Sequence, residues 1–193
     1  MRFLIGVPES SLASASELYE EAFGSKFRAA IPDRAARIAI IRKSLVPQRA
    51  ICALDNSELI GLAGFYHEGV SFTGNMTIRN LWRSLGLLSS LRAVLLLSLM
   101  ERTPQPRELL MDGIAVVEHH RGEGIGTRLL AEVVAFGRRH GYDRIRLDVI
   151  DTNRRAQDLY LRFGFEVGRQ STYPYLKPFL GFGGSTEMYL PLS

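Results

Sequence analysis

The amino-acid sequence predicts an α+β fold built around a mixed sheet. Runs typical of strands alternate with amphipathic runs of helical periodicity, and the second half of the chain follows the order strand, helix, strand, helix. The 193 residues are 46% hydrophobic and 23% charged, which is ordinary for a globular protein and sufficient for a sizeable core. We therefore expect a single domain over residues 1–193.

The first half of the chain contains three predicted strands and two predicted helices. The first strand is RFLIGV, and the helix SLASASELYEEAF follows it, capped by Ser10 or Ser11 and ended by Gly24. A second helix is predicted over PDRAARIAIIRKSLV, with Pro32 in its first turn. The strands AICALD and LIGLAGFY flank the polar segment NSE, which predicts a hairpin.

The second half contains four predicted strands and two predicted helices. The strands are LLMDGIAVV, RIRLDVI, FEVGRQSTY and EMYLPL. The helix IGTRLLAEVVAFGRRH ends at Gly141, and the helix NRRAQDLYLRFG ends at Gly164. One apolar face of the first helix contains Ile125, Leu129, Leu130, Val133 and Val134, and the corresponding stripe of the second contains Ala156, Leu159, Tyr160 and Phe163.

Residues 68–107 interrupt this alternation and are predicted to form an insertion between strands three and four. Within it, residues 84–100 form an apolar helix that two prolines then end. This run is shorter than the roughly 20 residues of a membrane span and has Arg92 at its middle, so no membrane association is predicted. Its apolar surface suggests a homodimer, and the alternative is a helix that packs back on its own domain.

The class of protein is limited by its cysteine content, its N-terminal sequence and its net charge. The single cysteine, Cys52, excludes an internal disulfide and is predicted to be a small core residue in a reducing, cytoplasmic protein. The N-terminal apolar run is broken by Pro8 and Glu9 and falls short of the roughly 7–15 residues of a signal peptide. The net charge of +4 suits an anionic ligand but gives little support to nucleic-acid binding.

A glycine-rich turn separates strand four from the helix after it. Gly122, Gly124 and Gly126 stand where the helix begins, and Arg121 and Arg128 add positive charge. A helix N-terminus offers unpaired backbone N–H groups and partial positive charge, and glycines let an anion approach the backbone. The turn is therefore predicted to bind a phosphate or pyrophosphate, the alternative being a connection without a ligand.

Two common phosphate-binding motifs fit this turn poorly. A P-loop requires a lysine after its glycines, and none follows here. A dinucleotide-binding turn requires G-x-G-x-x-G directly after the strand and an acidic residue about 20 positions later. Asp143 and Asp148 lie near that distance, but EHHR separates the strand from the glycines, and the third glycine comes one residue early.

Two motifs together resemble the GNAT superfamily of N-acetyltransferases. The segment IAVVEHHRGEGIGTRLL resembles the acetyl-CoA-binding motif Q/R-x-x-G-x-G/A, with Arg121, Gly124 and Gly126 at its fixed positions. The segment NRRAQDLYLRFGF is similar to a second signature, N-x-x-A-x-x-x-Y-x-x-x-G-F. The resemblance covers about residues 107–170. It implies a mostly antiparallel seven-stranded sheet in which strands four and five splay apart, with helices on both sides.

The resemblance also implies a site for acetyl-CoA as co-substrate. The pantetheine arm would pair with the backbone of strand four, and the pyrophosphate would rest on the amides of the glycine turn. The residues that this assigns to the co-substrate are Ile114, Ala115, Val116, Arg121, Gly122, Glu123, Gly124, Ile125, Gly126, Thr127, Asn153 and Tyr160.

The resemblance implies direct transfer of the acetyl group to a primary amine in a ternary complex. Tyr160 would protonate the departing thiolate, the alternative being an aromatic residue that only packs on the sheet. Asp148, at the end of strand five, is the candidate general base, the alternative being an ion pair with Arg146 or Arg144. Neither adjacent histidine has a partner at metal-ligand spacing, so no metal is expected.

Other acidic and histidine side chains are weaker site candidates. Glu118, His119 and His120 precede the glycine turn and are expected to face solvent, while His67 could line the acceptor side. Three glutamates of the first helix could border the acceptor cleft or form a solvent-exposed face of that helix; these are Glu17, Glu20 and Glu21.

The acceptor is predicted to be a small-molecule amine or a protein amine. One alternative function is a catalytically silent acetyl-CoA-binding module that acts as a sensor or interaction partner. Another is acetylation of an aminoacyl-tRNA, which the basic composition permits but which lacks a dense basic stripe interleaved with aromatic residues.

Overall fold

Seven strands form one sheet in this computed structural model, which describes residues 1–28, 31–76 and 102–192. They are β1 (Arg2–Ile5), β2 (Ala50–Asp55), β3 (Glu58–Tyr66), β4 (Glu108–Val116), β5 (Arg144–Ile150), β6 (Glu166–Thr172) and β7 (Gly184–Pro191). Their order in the sheet is β1-β2-β3-β4-β5-β7-β6. Neighbours pair antiparallel except for β4 and β5, which are parallel, so the predicted mostly antiparallel mixed sheet is confirmed.

Helices cover both faces of this sheet. They are α1 (Leu12–Arg28), α2 (Arg34–Ser44), α3 (Ile125–Arg139), α4 (Arg154–Phe163) and the one-turn α5 (Lys177–Leu180). The apolar sides of α3 and α4 pack with Leu147 and Met188 in one core cluster, and α1 and α2 pack with Leu62 and Cys52 in a second. Cys52 is therefore the buried core residue that its position in a strand predicted.

Two helix boundaries predicted from the sequence are wrong. α1 continues through Gly24 to Arg28, because Gly24 does not take the positive φ of a helix-ending glycine and instead makes room for Glu20. A Cβ atom there would lie 2.4 Å from the Glu20 carboxylate. At the start of α2 the N-cap is Asp33, whose carboxylate accepts a hydrogen bond from the Ala36 N–H at 2.7 Å, so Pro32 lies before the cap.

Strands β4 and β5 separate after a short paired stretch. Their parallel register runs only from Glu108↔Arg144 to Leu110↔Arg146 within these fully described strands. Farther along β4, the register with β3 shifts at Asp112, the extra residue of a β-bulge, and Gly113 follows with φ 143°. Because a bulge bends and twists its strand, the carboxyl half of β4 leaves β5 and a gap opens. This is the predicted splay.

The predicted insertion helix over residues 84–100 lies outside the described residues. Among the described helices, none is both long enough and apolar enough to cross a membrane.

Candidate active site

A cleft of about 450 Å³ runs beside the carboxyl half of β4. Residues from α1, β4, the glycine turn with the start of α3, and α4 form its walls. Eleven of the predicted co-substrate residues line it: Ile114, Ala115, Val116, Arg121, Gly122, Gly124, Ile125, Gly126, Thr127, Asn153 and Tyr160. Glu123 is not part of the lining; its exposed carboxylate lies 3.2 Å from Nδ1 of His120. The fold therefore brings nearly the whole predicted set to one cleft.

The backbone of the glycine turn faces the cleft without side chains above it. Gly122 and Gly124 have φ values of 97° and 78°, and Gly124 is the N-cap of α3. A Cβ atom at either position would meet no atom within 4 Å, so glycine is needed there for the backbone conformation and leaves free space above it. The first backbone N–H groups of α3 have no partner within the helix, and together with the helix dipole they are suited to an anion.

Arg121 fixes this turn to two other walls of the cleft. Its Nε atom donates to the backbone oxygen of Val116 at 2.9 Å, and its Nη2 atom donates to the Glu21 carboxylate at 2.9 Å. The first bond holds the turn against the end of β4, and the second holds it against α1.

Helix α4 brings Asn153 and Tyr160 to the cleft. Asn153 is the N-cap, and its side-chain oxygen accepts from the Ala156 N–H at 3.1 Å, which leaves the amide nitrogen for other partners. Tyr160 is 5% exposed, and its ring centroid lies 5.6 Å from that of Phe165. Burial raises the pKa of Tyr160 to about 12, and a hydrogen bond with the backbone of Ile114 opposes that rise. The hydroxyl therefore keeps its proton at neutral pH.

Asp148 lies outside this lining, on the other face of β5. Its neighbours Leu147 and Val149 belong to the same core cluster as Tyr160, so alternation along the strand points Asp148 away from that cluster. Its carboxylate accepts from Arg102 at 3.0 Å and from Arg146 at 3.3 Å. The alternative of an ion pair with Arg146 is thus present in the structure, whereas Arg144 pairs with Glu108 instead.

The three glutamates of α1 have three different environments. Glu17 is exposed. Glu20 is buried and forms ion pairs of 2.7 Å with Arg37 and 2.8 Å with Arg34, which tie α1 to α2. Glu21 lines the cleft. Neither of the two uniform expectations, an acidic cleft border or a solvated face, holds for all three.

Of the three residues before the glycine turn, Glu118 and His119 are exposed as expected, whereas His120 differs. His120 lines the cleft rather than facing solvent, because it ends the 3₁₀ turn Glu118–His120 that leads back toward the glycines. His67 is not among the residues that line this cleft. It is buried near the end of α3, with Nδ1 2.7 Å from the Tyr142 hydroxyl and its ring centroid 5.0 Å from that of Phe136.

Several further residues line the cleft without having been predicted as site residues. They are Ala22, Phe23, His120, Arg155, Ala156, Leu159 and Arg162. The helical spacing of Arg155, Leu159 and Arg162 was a usable signal, because residues three, four and seven apart share one side of a helix. Ala22 and Phe23 of α1 offered no such signal, since they reach the cleft only through packing of α1 against the sheet.

The comparison with known families agrees with this geometry. A profile of the Acetyltransferase (GNAT) family matches residues 12–165. The chain belongs to the GNAT family. This match contains α1, the sheet from β2 to β5, the glycine turn and α4, and thus every element that forms the cleft.

Curated relatives cover a smaller part of this GNAT chain. The thialysine N-epsilon-acetyltransferase of Bos taurus is 36% identical over 58 residues, which are 30% of this chain and 34% of that protein. The enzyme of the same name from Mus musculus is 34% identical over 58 residues, with the same two shares of 30% and 34%. The chain thus spans about one third of the length of these relatives.

Solved structures share the fold over the whole chain. The structure of yncA from Salmonella typhimurium with its cofactor acetyl-CoA has a TM-score of 0.62 at 18% identity, covering 100% of this chain and 94% of that one. At that identity the likeness shows the GNAT fold and no more.

Proposed function

We propose that this protein is an acetyl-CoA-dependent N-acetyltransferase that transfers the acetyl group to a primary amine by direct attack in a ternary complex. One observation carries the proposal: the same cleft joins an anion-binding turn, the unpaired edge of β4 and the protonated Tyr160 hydroxyl. These three features match the pyrophosphate, the amide-bearing arm and the thioester of acetyl-CoA, in that order along the molecule.

The chain's own groups fit the co-substrate. The pyrophosphate would accept hydrogen bonds from the amides between Gly122 and Thr127, where the helix dipole favours an anion. The amides of the pantetheine arm would pair with Ile114, Ala115 and Val116, because that part of β4 pairs with β3 on one side and has lost β5 on the other. The amide nitrogen of Asn153, whose oxygen accepts from the Ala156 N–H, would donate to the same arm. The bound acetyl-CoA of the Salmonella structure supports this choice of ligand.

Tyr160 would act as the general acid. The amine nitrogen attacks the thioester carbonyl carbon, the carbon–sulfur bond breaks, and the Tyr160 hydroxyl gives its proton to the departing sulfur. Because burial holds the tyrosine in its protonated form, the donor is in the correct state before the reaction begins.

Asp148 would take the proton that the amine loses, through a water molecule. It faces the side of the sheet that α1 and α2 cover, opposite the core cluster that contains Tyr160. An amine arriving from that side would meet the thioester through the gap between β4 and β5. Arg102 and Arg146 would then orient the carboxylate without taking part in the transfer.

The acceptor we propose is an unhindered primary amine on a small molecule or a protein side chain. The names of the Bos taurus and Mus musculus relatives specify the ε-amine of thialysine, which supports an amine at the end of a flexible chain.

The proposed function is tested by thiol release from acetyl-CoA in a panel of amines that includes thialysine, lysine, polyamines and lysine-containing peptides. We expect CoA release that depends on the amine and yields one N-acetyl product per thiol. Binding of acetyl-CoA without release for any amine would contradict the proposed transferase and favour the silent binding module.

A further inference from the structure

Two arginines on the rim of the cleft have no role in the contacts described above. Arg155 and Arg162 both line the cleft and are exposed. Within residues 1–28, 31–76 and 102–192, neither guanidinium forms an ion pair or a hydrogen bond. Two cations that border an anion-binding cleft and have no carboxylate partner are available for a ligand.

Their position on α4 places both beside the glycine turn. Arg155 and Arg162 are about two turns apart on the same side of the helix, and Leu159 lies between them, about one turn from each. Leu159 marks the point where α4 meets α3, since a Cβ atom on Gly126 would lie 3.2 Å from its side chain. The two guanidiniums therefore flank the start of α3 on the outer side of the cleft, while Tyr160 lies deeper.

The proposed ligand carries negative charge beyond its pyrophosphate. Acetyl-CoA carries a pyrophosphate, which the turn amides and Arg121 would hold, and in addition a phosphate monoester on the ribose 3′ position. A monoester has a charge of about −1.5 to −2 at pH 7 and three acceptor oxygens, which suit arginine particularly well.

We infer that Arg155 and Arg162 bind the 3′-phosphate of CoA and make the cleft select CoA over its 3′-dephospho form. The inference rests on the proposed function, because it assumes that CoA occupies the cleft. It adds to that function a specificity that the motif residues of the turn do not supply.

The test is calorimetric titration of the protein with CoA and with 3′-dephospho-CoA. We expect the wild type to bind CoA about tenfold more tightly, since two exposed charge-assisted contacts are lost with the phosphate. Arg155→Gln and Arg162→Gln should each reduce this preference, and the double variant should remove it. The ratio of the two affinities should also decrease as the salt concentration is raised from about 50 to 300 mM, because salt screens exposed charges.

Arg154→Gln is the matched control. Arg154 is the exposed neighbour of Arg155 on α4, but it does not line the cleft, so the variant should keep the full preference for CoA. All three arginines are exposed, so the variants should fold normally, which a thermal melt would verify.

The outcomes separate this inference from the function on which it rests. Equal affinity of the wild type for CoA and 3′-dephospho-CoA would overturn the phosphate assignment while leaving the transferase intact. An undiminished preference in the double variant would also overturn it. Failure of the wild type to bind either ligand would refute the proposed function itself, and the assignment with it.

Discussion

Arg121 and Glu21 form an ion pair of 2.9 Å across the cleft, between residues that are 100 positions apart in the chain. The pair joins α1 to the glycine turn, and it places a carboxylate beside the surface that we propose binds a pyrophosphate. An anionic ligand at the turn would compete with Glu21 for the Arg121 guanidinium. Glu21 thus opposes binding of the co-substrate while it holds the two walls together.

Glu21→Gln is therefore expected to bind acetyl-CoA more tightly. The gain should be at most about fivefold, because an exposed ion pair contributes no more than about 1 kcal/mol. Calorimetric titration with acetyl-CoA measures it, and Glu17→Gln, an exposed residue of the same helix outside the cleft, is the control that should bind like the wild type. Weaker binding by Glu21→Gln would show that holding α1 in place outweighs the charge.

Gly124→Ala should weaken acetyl-CoA binding by at least about tenfold, since the added methyl group fills the free space above the turn and hinders close approach of an anion. Gly141 provides a matched control at the other end of α3. It has a similar φ value of 71°, a Cβ atom added there would meet no atom within 4 Å, and it has no part in the cleft. Both alanine variants should lose about 1 kcal/mol of unfolding free energy from backbone strain. Equal affinities in the two variants would contradict the anion-binding role of the turn.

Tyr160→Phe should lower kcat by about 100-fold or more, as expected when a general acid is removed, with little change in the KM for acetyl-CoA. Steady-state thiol release measures both constants. Tyr142→Phe is the control, because the Tyr142 hydroxyl that it removes is bonded to His67 and lies outside the cleft lining.

Since the pKa of Tyr160 is raised to about 12, ionisation of this residue should not reduce wild-type kcat up to about pH 10. If kcat of Tyr160→Phe equalled that of the wild type, Tyr160 would only pack against the sheet and would not act as the acid.

Asp148→Asn tests the base separately from the acid. If Asp148 accepts the amine proton, the variant should lose kcat by about 100-fold at neutral pH and recover part of it as pH rises, because more of the amine is then already deprotonated. Arg146→Lys keeps a positive charge beside the carboxylate and should retain most of the activity. If the pH profile of kcat for Asp148→Asn ran parallel to that of the wild type, Asp148 would not be the base. Its role would then be limited to the ion pairs with Arg102 and Arg146.

Local signals predicted the elements around the turn well. The predicted bounds of β5 are those observed, and α4 begins after the cap Asn153 and ends at Gly164, which has a φ of 108°. In both elements the predicted apolar period agrees with the structure, and in α4 the stop at Gly164 agrees as well, so the local sequence determines the local structure. The glycine turn was predicted for the same reason, since Gly122 and Gly124 have positive φ values, which favour glycine.

Long-range contacts explain what the sequence could not predict. The end of α1 was placed too early because Glu20, which covers Gly24, is held by Arg37 of the next helix, a contact between distant positions. Ala22 and Phe23 in the α1 wall were missed for the same reason, and the sequence left open which glutamate of α1 lines the cleft, since only the folded sheet brings Glu21 to Arg121. Helical periodicity reports which side of a helix is apolar, but it does not report which partner lies opposite.

His67 should make the stability of the protein depend on pH. Burial lowers its pKa, the nearby Glu68 opposes that effect, and Arg49 and His140 reinforce it; the Tyr142 hydroxyl bonds the ring. In the unfolded chain a histidine takes up its proton below about pH 6.5, whereas folded His67 does so only at lower pH. The corresponding stability is therefore present above about pH 6.5 and is lost as pH falls from there through the pKa of the folded state.

Urea denaturation between about pH 5 and 7.5 measures this effect. His67→Gln should lose less unfolding free energy on acidification than the wild type, while His119→Gln, which replaces an exposed histidine, should follow the wild type. Parallel curves for His67→Gln and the wild type would show that folding leaves the protonation of this residue unchanged.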